Sequence, residues 1–173
     1  MFAPDGVVLG IDPGLTRCGY AILRPGRSGV EALALGVVRT DPSAALGDRL
    51  LELAVEIDRL LDERRFEGIA VERVFFQNNA RTAMSVAQAS GVVLTAAARR
   101  GIAVADYTPS QVKRAVAGSG TATKAAVRAM VQRRLGLAEV RGPADASDAA
   151  AVALCHLASA PLARSIASAG GRR

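Results

Sequence analysis

Apolar residues in the first forty positions fall in short runs broken by glycine and proline, a pattern that predicts strands. Val7-Val8-Leu9-Gly10-Ile11 ends at Asp12, a turn follows at Pro13-Gly14, and Gly19-Tyr20-Ala21-Ile22-Leu23 forms a second run before glycine-rich punctuation at 26–29. A third strand is predicted over 33–38. Connections this short imply antiparallel hairpins, because a parallel pair needs a crossover of about a dozen residues or more.

The period then changes. Leu46, Leu50, Leu53, Ile57, Leu60 and Leu61 recur at helical spacing, with Arg49, Glu52, Glu56 and Arg59 between them, which predicts an amphipathic helix. Gly68-Ile69-Ala70-Val71 reads as a buried strand ending at Glu72. A helix rich in small residues is predicted over 80–100, stopped by Gly101, and a strand over 102–107. Pro109 opens a short helix through 116, Gly118-Ser119-Gly120 breaks it, and helices over 123–135 and 143–160 follow. Residues 161–173 read as a disordered basic tail. Strand–helix–strand crossovers place the later strands parallel to the first. The predicted fold is α/β, in one domain over 1–160: a mixed five-stranded sheet, three antiparallel strands and then parallel crossovers, flanked by helices.

Composition narrows the class. Half of the 173 residues are hydrophobic and 22% are charged, which suits a globular core rather than a disordered chain. No apolar run reaches the roughly 18 residues of a membrane span, and the start lacks a signal-peptide pattern, so a cytoplasmic location is expected. Cys18 and Cys155 belong to no Cys-x-x-Cys pair and His156 is the sole histidine, which argues against structural zinc and for ordinary buried thiols. The net charge of +6 suits a polyanionic partner, though a solvated arginine-rich surface gives the same balance.

The chemistry concentrates in four carboxylates. Asp12 and Glu72 each follow a buried-type strand, where open α/β sheets put their sites. A buried carboxylate must be paired, protonated or metal-bound, so a salt bridge to Arg17 or Arg73 and a metal role both fit. Asp145 and Asp148 stand three apart at the start of an alanine-rich helix, on one face. Helix capping explains Asp145; it explains Asp148 less well, because a second like charge one turn in is repulsive. Four carboxylates without a histidine cluster suit a hard cation, Mg²⁺ with Mn²⁺ as substitute, one or two ions per subunit. Two such ions assist phosphodiester hydrolysis.

At these residues the chain resembles the RuvC family of bacterial Holliday junction resolvases, within the ribonuclease H-like nucleases. The resemblance is carried by Gly10-Ile11-Asp12-Pro13-Gly14, Val71-Glu72-Arg73-Val74-Phe75, Ala87-Gln88-Ala89-Ser90-Gly91-Val92, Thr108-Pro109-Ser110-Gln111-Val112-Lys113 and Asp145-Ala146-Ser147-Asp148-Ala149, in order over about 6–158. It implies a ribonuclease H-like fold. It also implies that Asp12, Glu72, Asp145 and Asp148 are catalytic metal ligands. The implied activity is paired, symmetric nicking of four-way DNA junctions by a homodimer, in recombination and repair, alongside the RuvA–RuvB branch-migration complex.

Phe75 and Phe76 sit in a polar loop with Gln77 and Asn78, where a ring can stack on an unpaired base or pack inward as core. The resemblance aligns Phe75 with the family's base-stacking ring. It matches Lys113 and Lys124 to basic residues near the scissile phosphate; read alone, each is also an ordinary surface lysine. Arg81, Arg114, Arg128, Arg133 and Arg134 extend the expected DNA footprint. Gly118 to Lys124 is no P-loop, since Thr123 precedes the lysine and Ala125 follows it. The helix over 80–100 is apolar around much of its circumference, which predicts burial on two sides, within the chain or, as the resemblance implies, against a two-fold mate. An RNA-acting relative and a non-catalytic junction binder are the rival readings, and the complete carboxylate set disfavours the second.

Overall fold

A computed structural model describes residues 6–73, 80–138 and 144–170, with side chains throughout except at 80–82 and 160–170. The strands are β1 (Val8–Asp12), β2 (Arg17–Gly26), β3 (Gly29–Arg39), β4 (Gly68–Glu72) and β5 (Val104–Tyr107). The helices are α1 (Leu46–Asp62), α2 (Ala80–Arg99), α3 (Pro109–Ala117), α4 (Lys124–Leu135) and α5 (Ala144–Gly170). No helix among the described residues is long and apolar enough to cross a membrane.

The sheet order is β3-β2-β1-β4-β5. Strands β1 to β3 form the predicted antiparallel hairpins, and β4 and β5 join parallel to β1 and to each other through α1 and α2. Strands β2 and β3 outrun the predicted runs at both ends, because Gly26 and Gly29 are themselves paired across the hairpin turn.

Two-residue alternation divides the core between the faces of the sheet. Leu9, Ile11, Ile22, Ile69 and Val71 pack with Leu53, Ile57, Leu60 and Leu61 of α1 and with Ala89, Val93, Ala96 and Ala97 of α2. Val8, Ala21, Leu23 and Ala70 pack on the opposite face against α5, which is covered in turn by Val112 and Val116 of α3 and Val127, Val131 and Leu135 of α4. From Ala149 to Cys155 every α5 side chain is buried. This central helix, rather than α2, is the one enclosed on all sides, which its all-small composition allows: alanine lets a sheet and two helices approach one axis closely.

Helix α2 differs from expectation. Its inner face is buried, but Met84 is 62% exposed and Leu94 42% exposed, with Ala87, Gly91 and Ala98 exposed along the same side. Within one chain it is buried on one side only. Helix α5 runs to Gly170, ten residues beyond the end expected near 160 and into the segment expected to fray. Alanine, leucine and arginine, all strong helix formers, populate that stretch.

The sharp helix boundaries follow local chemistry. Thr108 caps α3 in a full capping box with Gln111, Pro109 opens it, and Gly118 closes it in the left-handed conformation. Thr123 caps α4 through the Ala126 N–H and Gly136 closes it. These caps set where Lys113 and Lys124 emerge.

Candidate active site

Asp12 is the last residue of β1 and Glu72 the last of β4. The two strands are parallel neighbours with Ile11 opposite Val71, so the carboxylates follow one another into adjacent positions at the sheet's carboxyl edge. The alternation that sends Ile11 and Val71 toward α1 and α2 turns Asp12 and Glu72 toward α5. Gly19, paired with Asp12, and Tyr107, paired with Glu72, complete the row.

Glycines admit the fourth wall. A Cβ on Gly19 would fall on the carbonyl oxygen of Asp145, and a Cβ on Gly10 would fall on that of Ala149 and lie 2.7 Å from the Ala153 Cβ. Strands β1 and β2 thus present bare backbone to the first turns of α5, which carry Asp145 and Asp148 over the strand ends. Glycine inside a strand signals such a close approach, and hydrophobic periodicity alone does not carry that signal.

The electrostatics show that the four acids face one another. Burial pushes the Asp12 carboxyl up to about 7, and the negative charges of Glu72, Asp148 and Asp145 add to the shift while Lys124 opposes it. Glu72 is also raised, by burial and Asp148, against the opposing effects of Lys124, a hydrogen bond with Asp12, and Lys113. Both lysines singled out in the sequence therefore act on the carboxylates. The Lys124 ammonium lies 3.7 Å from Asp148 Oδ2.

The salt bridge expected for Asp12 or Glu72 goes elsewhere. Arg17 Nε donates to Asp145 Oδ2 at 2.9 Å, and a terminal guanidinium N–H donates to the same oxygen. Among the described residues no three acidic, histidine or cysteine side chains close around one point as a finished metal cage. Arg17 and Lys124 hold Asp145 and Asp148, while Asp12 and Glu72 stand at the ends of adjacent parallel strands. The donor chemistry nevertheless fits a hard cation: four carboxylates, two at strand ends and two on a helix start.

The loop after Asp12 has its own strut. Thr40, only 5% exposed, donates its hydroxyl to the Leu15 carbonyl at 2.7 Å. Arg49 on α1 donates to Thr40 Oγ1 at 3.0 Å and to Thr16 Oγ1 at 2.7 Å. Contacts between residues 25 and 33 positions apart left no trace in the sequence pattern.

Cys18 is buried beside the site; burial and the nearby Asp12 and Asp145 push its thiol up to about 12, so it stays neutral. Cys155 is also a free, buried thiol. His156 Nδ1 lies 2.9 Å from the Tyr107 hydroxyl, tying α5 to β5. Phe75, Phe76, Gln77 and Asn78 lie outside the described residues, as does the side chain of Arg81. Arg133 and Arg134 line an open groove of about 490 Å³ between the C-terminal end of α4 and the β2–β3 hairpin, at the opposite end of α4 from Lys124.

A family model described as crossover junction endodeoxyribonuclease RuvC matches residues 8–156. This chain belongs to the RuvC family. The RuvC of Saccharopolyspora erythraea is 53% identical over 163 residues, covering 94% of this chain and 82% of that one. The RuvC of Salinispora arenicola is 56% identical over 152 residues, covering 87% and 86%. Among solved structures, Thermus thermophilus RuvC in complex with a Holliday junction superposes with a TM-score of 0.86 at 38% identity, over 91% of this chain and 96% of that one. The yeast mitochondrial Holliday junction resolvase superposes with a TM-score of 0.64 at 14% identity, over 90% of this chain and 80% of that one, a likeness of fold alone. The ribonuclease H-like architecture that the resemblance implies is the architecture found.

Proposed function

We propose that this chain resolves four-way DNA junctions by hydrolysing one phosphodiester in each of two strands, at the site where Asp12, Glu72, Asp145 and Asp148 meet. The observation that carries the reading is the mutual field of these carboxylates, which with burial holds Asp12 near neutrality at the carboxyl edge of the sheet. RuvC-family proteins are metal-dependent nucleases. In this reading the four carboxylates hold Mg²⁺, with Mn²⁺ as substitute, one or two ions per subunit. Such ions, when bound, activate water and offset the charge that builds on phosphate oxygens during hydrolysis.

The chain's own residues supply the rest. Asp12 and Glu72, at the ends of hydrogen-bonded strands, are rigid ligands, and α5 brings Asp145 and Asp148 to them on one helical turn. Lys113 and Lys124 line the same site and are suited to bind the phosphate of the strand being cut and to counter charge on its oxygens. Lys124 stands at the first position of α4, where backbone N–H groups point outward toward an anion. Phe75, Phe76, Gln77, Asn78 and Arg81 follow Glu72 in sequence and in this reading form the junction-contacting surface, with one ring stacking on a base.

The exposed side of α2, with Met84, Ala87, Gly91, Leu94 and Ala98, is the proposed homodimer face, since a two-fold protein suits a two-fold junction. Cooperation with RuvA–RuvB and a cytoplasmic setting belong to the same reading. Incubation with a mobile four-way junction and Mg²⁺ tests it: the expected products are paired nicks placed symmetrically across the junction. Cleavage of structured RNA in preference to the junction would overturn it.

A further inference from the structure

The cations at the carboxylate site are not equivalent. Lys124 is 89% exposed and stands 3.7 Å from Asp148, a loose ion pair. Arg17 instead places two N–H donors on one oxygen of Asp145, a charge-assisted contact in which the guanidinium occupies a face of that carboxylate. Both ends of this contact are fixed. Arg17 opens β2, two residues before the glycine on which α5 rests, and Asp145 lies in the first turn of α5 directly over that glycine. The preceding loop is tied down by Thr40 and Arg49. The Arg17 side chain is 40% exposed, so its guanidinium can swing outward without unpacking the core.

We infer that Arg17 is a built-in counter-ion for Asp145, which a divalent cation must displace to use that carboxylate. The inference rests on the reading of the four acids as a cation site and goes beyond it. Two effects follow from Coulomb's law. With Arg17 in place the Asp145 oxygen is already partnered, so cation binding loses the worth of that contact. A guanidinium beside the ion also repels it. Both lower the affinity of the free protein for a cation, the first through Asp145 and the second directly on the ion. Arg17 is in this sense a positioning residue: it sets where Asp145 points and how readily it is given up. Once released, the guanidinium lies at the rim of the site, where a phosphate of a bound strand would offer it a new anionic partner, so binding of cation and of DNA would favour one another.

The test is Mn²⁺ binding to full-length protein, by calorimetry or by the loss of the free-ion electron-paramagnetic signal, with no DNA present. Arg17→Met, which keeps the aliphatic stem, and Arg17→Gln are compared with the unaltered chain, and thermal unfolding checks that each variant is folded. Arg17→Met is expected to bind Mn²⁺ about three- to tenfold more tightly, the size expected for removing one charge at a partly exposed site. In an Asp145→Asn background the same change should have a clearly smaller effect, since only the direct repulsion remains. A structural role for Arg17 would loosen the site and weaken binding, the opposite sign. Unchanged or weaker binding in both folded Arg17 variants overturns the inference while leaving the cation site standing. Absence of Mn²⁺ binding to the unaltered chain overturns the cation site itself, and this inference with it.

Discussion

Asp12 and Glu72 end two adjacent parallel strands, close enough that the Glu72 charge strengthens the hold of Asp12 on a proton. Burial and three nearby acids keep that proton on Asp12 up to about pH 7. A solvent-exposed aspartate would lose it near 3.8.

The consequence is a pH-dependent fold. Between about pH 4 and 7 the folded chain binds protons that the unfolded chain has released, so stability falls as pH rises through that window. In a chelator, unfolding at about pH 7.5 should occur roughly 3–6 °C below that at about pH 5.5, for a loss of about 1–2 kcal/mol. Mg²⁺ favours the ionised form and should remove most of the difference. Asp12→Asn should remove it without Mg²⁺. Scanning calorimetry of both proteins checks this; a stability that is flat or rises over the window in chelator would contradict it.

Gly19 matters because α5 rests on it. A methyl group there meets the Asp145 carbonyl oxygen, so the first turn of α5 must move. Gly19→Ala should cost about 1–3 kcal/mol of stability, as overpacking does. The same variant should lower junction nicking more than tenfold, about the effect of a 1 Å misplacement. Thermal unfolding and single-turnover nicking measure the two; normal values for both would show that the contact is not needed.

Thr40 and Arg49 brace the loop between Asp12 and Arg17. Thr40→Val leaves the Leu15 carbonyl without its 2.7 Å partner and should cost about 1–3 kcal/mol. Arg49→Ala should cost less. The two changes should be less than additive, because they cut one network. Urea unfolding of the single and double variants distinguishes this from two independent losses, which would simply sum.

Much of this architecture is legible in the chain before any coordinates. The runs ending at Asp12 and Glu72 mark strand ends because a continuous apolar run stops there at a charged residue, and Thr108-Pro109 and Thr123 mark helix starts because their hydroxyls cap orphan N–H groups. What is not legible depends on long-range contact. Arg17 and Asp145 are 128 positions apart, and nothing in either neighbourhood names the other. Composition shows that α2 and α5 are both rich in small residues, yet only packing decides that α5 is enclosed and α2 leaves Met84 and Leu94 exposed. Gly10 and Gly19 lie between: glycine within a strand marks a close approach that the apolar pattern alone does not show, and it does not name what approaches.

In the proposed function, cutting depends on a cation held by the four carboxylates. Asp12→Asn keeps the shape of the side chain and removes its charge. Measured side by side in Mg²⁺, junction binding by this variant should stay within about threefold of the unaltered chain, and nicking should fall by at least about a thousandfold, the scale of losing one electrostatic element of a catalytic site. Nicking at full rate by Asp12→Asn would contradict the account.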